Sequence, residues 1–169
     1  MTSTPTPGLT WFNSAEPAPA RDALHEVCAS TAWSDRLLDG RPYADADALC
    51  QGSDLATSAL TSMDLAEAMS AHPPIGRPKP GDPASTREQR GMAGASEELR
   101  EELLELNLAY QERFGHVFLI CATGQSAEAM RDAARERLGN SPEQEWERVR
   151  AELRKINRIR LTRLAHEGA

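Results

Sequence analysis

The chain has 169 residues, with 19 Lys and Arg against 26 Asp and Glu, for a formal net charge of −7. That length predicts one domain with a real hydrophobic core, and the acidic balance excludes a broad phosphate-binding surface of the nucleic-acid type while leaving a local basic pocket open. The longest apolar run, VFLICA, is far too short to span a bilayer, and the opening MTSTPTPGLT lacks the basic and apolar regions of a signal peptide.

In chain order, residues 1–8 are Thr/Pro-rich and read as a disordered tail, with one helical domain over 9–169. Leu24, Val27 and Cys28 mark a short helix. Trp33, Leu37 and Leu38 mark the next, closed by Gly40, and Leu49 and Cys50 a third after Asp45. Asp64 followed by Glu67 reads as an N-cap with a glutamate at N3, opening a helix whose apolar face is Leu65, Ala68 and Met69. Ser96 caps a long helix with the stripe Leu99, Leu103, Leu106, Tyr110 and Phe114, and Gly115 stops it. Ser126 caps another, ending at Gly139-Asn140. Ser141-Pro142 opens the last, with Pro at N1, Gln144 at N3, and the stripe Trp146, Val149, Leu153, Ile156 and Leu164. Only 116–124, HVFLICATG, reads as extended, and it has no partner strand for a sheet. The fold class is therefore all-α, a single compact multi-helix domain with this segment buried between helices, its backbone N–H and C=O groups in need of partners.

Three cysteines, Cys28, Cys50 and Cys121, stand far apart without CxxC or zinc spacing. They read as reduced core thiols in a cytoplasmic setting, with no metal site. The C-terminal HEGA carries no Ser-Lys-Leu address. His25, His116 and His166 read as ordinary surface or boundary residues.

Two polar residues break the apolar stripes. Positions 65, 68, 69 and 72 share one helical face, which puts His72 on it at the last turn, where Pro73 ends the helix. Either His72 is a core histidine bonded to a carbonyl, or it faces a ligand. On the last helix Arg160 is the single charge on the stripe, whereas Arg158 projects opposite. A guanidinium there needs an anionic or carbonyl partner, either structural or substrate. Between these lies Ser85-Thr86-Arg87-Glu88-Gln89. Ser85 and Glu88 fit a capping box after Pro83; a carboxylate near His72 would instead orient the ring and share its proton, as general acid–base chemistry requires.

The motifs as an ordered set are WFNSA near the start, CASTAW at 28–33, RPY at 41–43, AHPPIG at 71–76, STREQRGM at 85–92, LNLAYQERFGHVFLICATG at 106–124, RLGN at 137–140 and ELRKINRIRLTRL at 152–164. The set resembles the 2-oxo-4-hydroxy-4-carboxy-5-ureidoimidazoline (OHCU) decarboxylases of urate degradation, over nearly the whole chain beyond the tail. The resemblance implies an all-α fold, a homodimer, and no metal or organic cofactor. It implies the step in which OHCU loses carbon dioxide to give (S)-allantoin. By the family's HPxxG and SxxEQ motifs, His72 and Glu88 are the catalytic pair. Pro73, Ser85 and Gln89 contact substrate, joined by the backbone of Phe118, Leu119, Ile120 and Cys121 and by Arg160 in Ile159-Arg160-Leu161. The sequence departs from the motif at Pro74, where arginine or another polar residue is common, and in the proline-rich RPKPGDPA. Two rival readings stand beside this one: a non-catalytic helical ligand-binding module, and a same-fold decarboxylase of a related ureido-imidazole.

Overall fold

The computed structural model describes residues 6–73, 75 and 83–168, with the backbone alone at 83–85. Among the described residues all regular structure is helical: α1 (Pro7–Ser14), α2 (Pro17–Val27), α3 (Thr31–Asp39), α4 (Ala46–Ser58), α5 (Ser62–Met69), α6 (Pro83–Glu88), a 3-10 turn (Arg90–Met92), α7 (Glu97–Phe114), α8 (Ala127–Arg137) and α9 (Pro142–Glu167). The chain divides into two compact units, one formed by residues 1–68 with 153–169 and the other by 69–152.

In the first unit α2 packs on α3 and α3 on α4. Phe12, Leu24, Trp33, Leu37, Leu49 and Leu65 are fully buried there, each removal from water being worth about 1.5–3 kcal/mol. The sequence motifs at the start of the chain hold this scaffold. Asn13 exchanges hydrogen bonds with the backbone of Tyr43, donating to its carbonyl at 2.9 Å and accepting from its N–H at 2.8 Å. Arg41 donates to the carbonyls of Phe12 (2.9 Å) and Ala15 (2.7 Å), satisfying the exposed end of α1. In CASTAW, Ser30 caps α3 by accepting from the Trp33 N–H, and the Trp33 indole donates to Ser53 Oγ at 3.1 Å.

Pro7 and Gly8, predicted in the tail, lie instead at the start of α1, with Pro7 in the first turn. Gly8 is there because of close approach: a Cβ on it would stand 2.0 Å from the Leu164 carbonyl oxygen. Residues 1–5 are outside the described part. The predicted cap of α5 is also displaced by one turn. Thr61 and Asp64 form the reciprocal box, Thr61 N–H to Asp64 Oδ2 at 2.9 Å and Asp64 N–H to Thr61 Oγ1 at 3.2 Å. Glu67 accepts from the Thr31 N–H at 2.5 Å instead. At N3 the Asp64 carboxylate also complements the helix dipole.

In the second unit α7 packs on α8. Ser96 caps α7 through Leu99 N–H, and Gly115 ends it in the left-handed region at φ 79. Ser126 caps α8, and Ser141 with Gln144 forms a reciprocal box at the start of α9. These four signals lie where the sequence puts them. The 117–122 segment is non-helical, and Phe118 to Ala122 are buried. Phe118, Ile120 and Ala122 enter one apolar cluster with Leu99, Leu103 and Tyr110 of α7 and Met130 and Ala134 of α8.

Candidate active site

The polar candidates of the second unit are carried by three chain segments that share this cluster. Ile75, Met92, Phe118 and Ile120 all belong to it. Ile75 follows His72-Pro73 by a short step, Met92 follows Glu88-Gln89, and Phe118 with Ile120 is the extended segment itself. Apolar packing thus brings the motifs bearing His72, Glu88, Gln89 and the 118–121 backbone to one region of the molecule.

Each segment has its own anchor. The Ile75 carbonyl accepts from Asn107 Nδ2 of α7 at 3.2 Å, and the Asn107 side chain is buried. The 3-10 turn lies so close to the end of the extended segment that a Cβ at Gly91 would stand 1.9 Å from the Gln125 carbonyl oxygen. That glycine is what allows the turn after Gln89 to meet the chain after Cys121. Gln89 is buried and caps the turn with φ −92 and ψ 20, the bridge conformation in which many site residues are found. Its carbonyl accepts from the Met92 N–H at 2.9 Å.

His72 is half-buried. The predicted helix end is corrected here: α5 stops at Met69, and His72 lies beyond it in a turn closed by its N–H to the Met69 carbonyl at 3.0 Å. Leu65, Ala68 and Met69 are buried as the stripe requires, but the face ends one turn earlier than the periodicity alone implies. The backbone donor of His72 is satisfied locally. Pro73 follows directly and restricts that residue's backbone.

Glu88 is half-buried and is the last residue of α6. It therefore does not stand at N3, and the capping-box reading of Ser85-x-x-Glu88 fails, since Ser85 is already inside a helix that begins at Pro83. A carboxylate at a helix C-terminus is placed against the dipole, so α6 gains nothing from it. The Ser85 side chain, Pro74 and residues 76–82 lie outside the described part.

Arg160 belongs to the first unit. It is half-buried on α9, with Val149, Leu153, Ile156 and Leu164 of the predicted stripe buried and Trp146 half-buried. Its Nη1 donates to the Val27 carbonyl at 2.9 Å, so one fork of the guanidinium has a structural partner. Nearby, burial pushes the Cys28 thiol up, opposed by the Ser30 backbone, the Asn157 amide and the Arg160 charge. Cys28 is accordingly a poor nucleophile, and all three cysteines are buried thiols outside any disulfide. Arg158 projects to solvent and pairs with Asp54 at 2.6 Å.

Sequence reasoning missed one buried network. Arg137, of the RLGN motif, and Glu145 are 2% and 0% exposed and pair at 2.8 Å. Glu145 also accepts from Tyr110 Oη at 2.6 Å and Asn140 Nδ2 at 3.2 Å. Glu145 precedes the apolar stripe position Trp146, and Arg137 sits in a charge-rich helix, so periodicity singled out neither. The Arg–Leu–Gly–Asn motif was the available signal. The Tyr110 hydroxyl is held protonated by burial and then by its bond to Glu145.

The profile of the OHCU decarboxylase family matches residues 13–162. A 2-oxo-4-hydroxy-4-carboxy-5-ureidoimidazoline decarboxylase of Amia calva is 31% identical over 143 residues, covering 80% of this chain and 78% of that protein. The uric acid degradation bifunctional protein TTL of Arabidopsis thaliana is 30% identical over 155 residues, 88% of this chain but 48% of that protein. The chain thus spans about half the length of that relative, and it covers 30% of the bifunctional protein PucL of Bacillus subtilis. Among solved structures, OHCU decarboxylase in the presence of (S)-allantoin superposes with a TM-score of 0.75 at 28% identity, over 85% of this chain and 96% of that one. An (S)-allantoin synthase has the same fold, with a TM-score of 0.70 at 17% identity. The all-helical architecture, the ordered motifs and these similarities agree, and the chain belongs to the OHCU decarboxylase family.

Proposed function

We propose that this chain decarboxylates OHCU to (S)-allantoin, with His72 and Glu88 as its catalytic pair. The observation that carries the reading is the shared cluster of Ile75, Met92, Phe118 and Ile120, which draws three family motifs to one place. The position of Glu88 at the wrong end of α6 for capping supports it further.

The chemistry suits such a site. In OHCU the carboxylate stands on a carbon adjacent to a ring C=N carbon. When the C–CO2 bond breaks, its electron pair forms a carbon–carbon double bond, and the former imine nitrogen takes a proton. The resulting enol then loses its hydroxyl proton to become the carbonyl. The carbon bearing the ureido group gains a proton on one face only. The substrate is its own electron sink, so the protein's task is orientation, charge placement and delivery of that proton.

His72 is the general acid/base near the ring hydroxyl, and Glu88 orients it and couples to its proton. Such catalysis supplies about 10²–10⁴-fold. Gln89 and Arg160 hold the carbonyl, ureido or carboxylate groups, and Pro73, Ser85 and the backbone of 118–121 fix the ring. On the same family grounds the chain works as a homodimer, and its three scattered cysteines suit a reducing, cytoplasmic setting. The test is a chiral assay on freshly generated OHCU with His72→Ala and Glu88→Ala. Both variants lose formation of the (S) enantiomer and leave the slow, racemic background. Parental rates in either variant refute the assignment.

A further inference from the structure

The buried Arg137–Glu145 pair has a third partner that gives it a role in the site. Arg137 Nη1 donates to the Leu119 carbonyl at 2.6 Å, in the middle of the segment whose backbone meets substrate in the functional reading above. Its Nε is held by both oxygens of Glu145, at 2.8 and 3.2 Å. The guanidinium carbon lies 4.6 Å from the centre of the Phe118 ring. One side chain therefore grips both the side chain of Phe118 and the carbonyl of Leu119. Glu145 keeps that side chain from turning, being itself fixed by Tyr110 and Asn140.

The consequence follows from peptide geometry. The only cis peptide bond among the described residues is Arg41–Pro42, so the unit joining Leu119 and Ile120 is trans and planar, and its C=O and N–H point in opposite directions. With the Leu119 C=O drawn to Arg137, the Ile120 N–H is aimed away from it. The Phe118 and Ile120 side chains, seated in the apolar cluster, prevent the segment from rotating about its axis. A non-helical segment has no hydrogen-bond ladder to set its peptide planes; here an arginine sets one of them.

We propose that Arg137 is a positioning residue: by clamping the Leu119 carbonyl it presents the Ile120 N–H to the ligand. The inference rests on the decarboxylase reading and adds the residue that orients its backbone contacts. A bidentate guanidinium suits the task because it binds Glu145 and the carbonyl together in fixed directions. A lysine ammonium keeps the charge but not the fork.

The experiment compares Arg137→Lys with Tyr110→Phe, which weakens the same buried network without touching the Leu119 bond. Each is measured well below its melting temperature, for kcat, KM, product enantiomeric excess and the exchange rate of the Ile120 amide. Arg137→Lys is expected to lower kcat/KM about ten-fold or more, as loss of an oriented backbone donor does. It also lowers the enantiomeric excess and speeds Ile120 exchange. Tyr110→Phe stays within about three-fold of the parent, the change left when a donor's geometry survives. If Arg137→Lys keeps parental kinetics and enantiomeric excess, or Tyr110→Phe loses as much, Arg137 is structural only and the proposal falls. If the parent itself fails to convert OHCU, the functional reading falls and takes this inference with it.

Discussion

Glu145 offers the sharpest test of the energetics. Its carboxylate is fully buried and accepts from Arg137, Tyr110 and Asn140. Glu145→Ala deletes the anion and leaves the Arg137 guanidinium, 2% exposed, without its counter-charge. Breaking a buried pair from one side costs about 3–5 kcal/mol, most of it the penalty on the charge left behind. Against a domain stability on the order of 5–15 kcal/mol, that is a large share. At about 2–4 °C per kcal/mol for a chain of this size, the melting temperature should fall by roughly 6–20 °C. Thermal melts and urea titrations followed by circular dichroism measure it, with an unchanged slope against denaturant confirming a loss of stability rather than a changed unfolded state. The physical reasoning makes a second demand. Arg137→Met combined with Glu145→Leu should cost less than the sum of Arg137→Met and Glu145→Leu taken singly, because no charge is then stranded. A fall of less than about 3 °C in Glu145→Ala, or strict additivity in the cycle, would show that the charge is relieved by some other route.

Two further outcomes test other parts of the structure. Gly91→Ala puts a methyl group 1.9 Å from the Gln125 carbonyl oxygen, and the turn must shift. A stability loss of about 1–3 kcal/mol is expected from such overpacking, while kcat/KM falls by up to ~10²-fold because Gln89 and Glu88 are displaced; unchanged kinetics would detach this turn from the site. The Cys28 thiol, raised by burial above its ordinary value of 9.0, makes the folded state hold its proton longer than the unfolded chain does. Its stabilising effect is complete below pH 9 and is lost as pH rises through the folded value, with Tyr110 adding a loss in the same direction above its ordinary 10.0. Melting temperature plotted against pH should fall on the alkaline side, and Cys28→Ala should flatten the part that starts near pH 9; an identical slope in that variant assigns the loss to other groups.

Local signals in this sequence determined local structure. Ser96, Gly115, Ser126 and Ser141-Pro142 act within a single turn through their own side chains or φ values, so their helix ends were legible. The stripes of α7 and α9 were legible for the same reason, and the ordered motifs carried the family. Tertiary packing decided the rest. Residue 8 of α1 must be glycine because the Leu164 carbonyl lies against it, and no pattern near residue 8 encodes that neighbour. Thr61 caps α5 with Asp64 as its N3 partner, while Glu67 serves Thr31 of another element. Glu88 reads as the end of a capping box until the helix is seen to begin at Pro83. Nothing in the helical pattern marks Arg137 and Glu145 as buried, yet each can be buried because the other is there. A charge's burial depends on a partner from another element, and helical periodicity carries no record of partners. His72 lies between the two cases: the sequence marked it as a residue out of place on an apolar face, and the fold put it past the helix end, three residues before Ile75 of the apolar cluster.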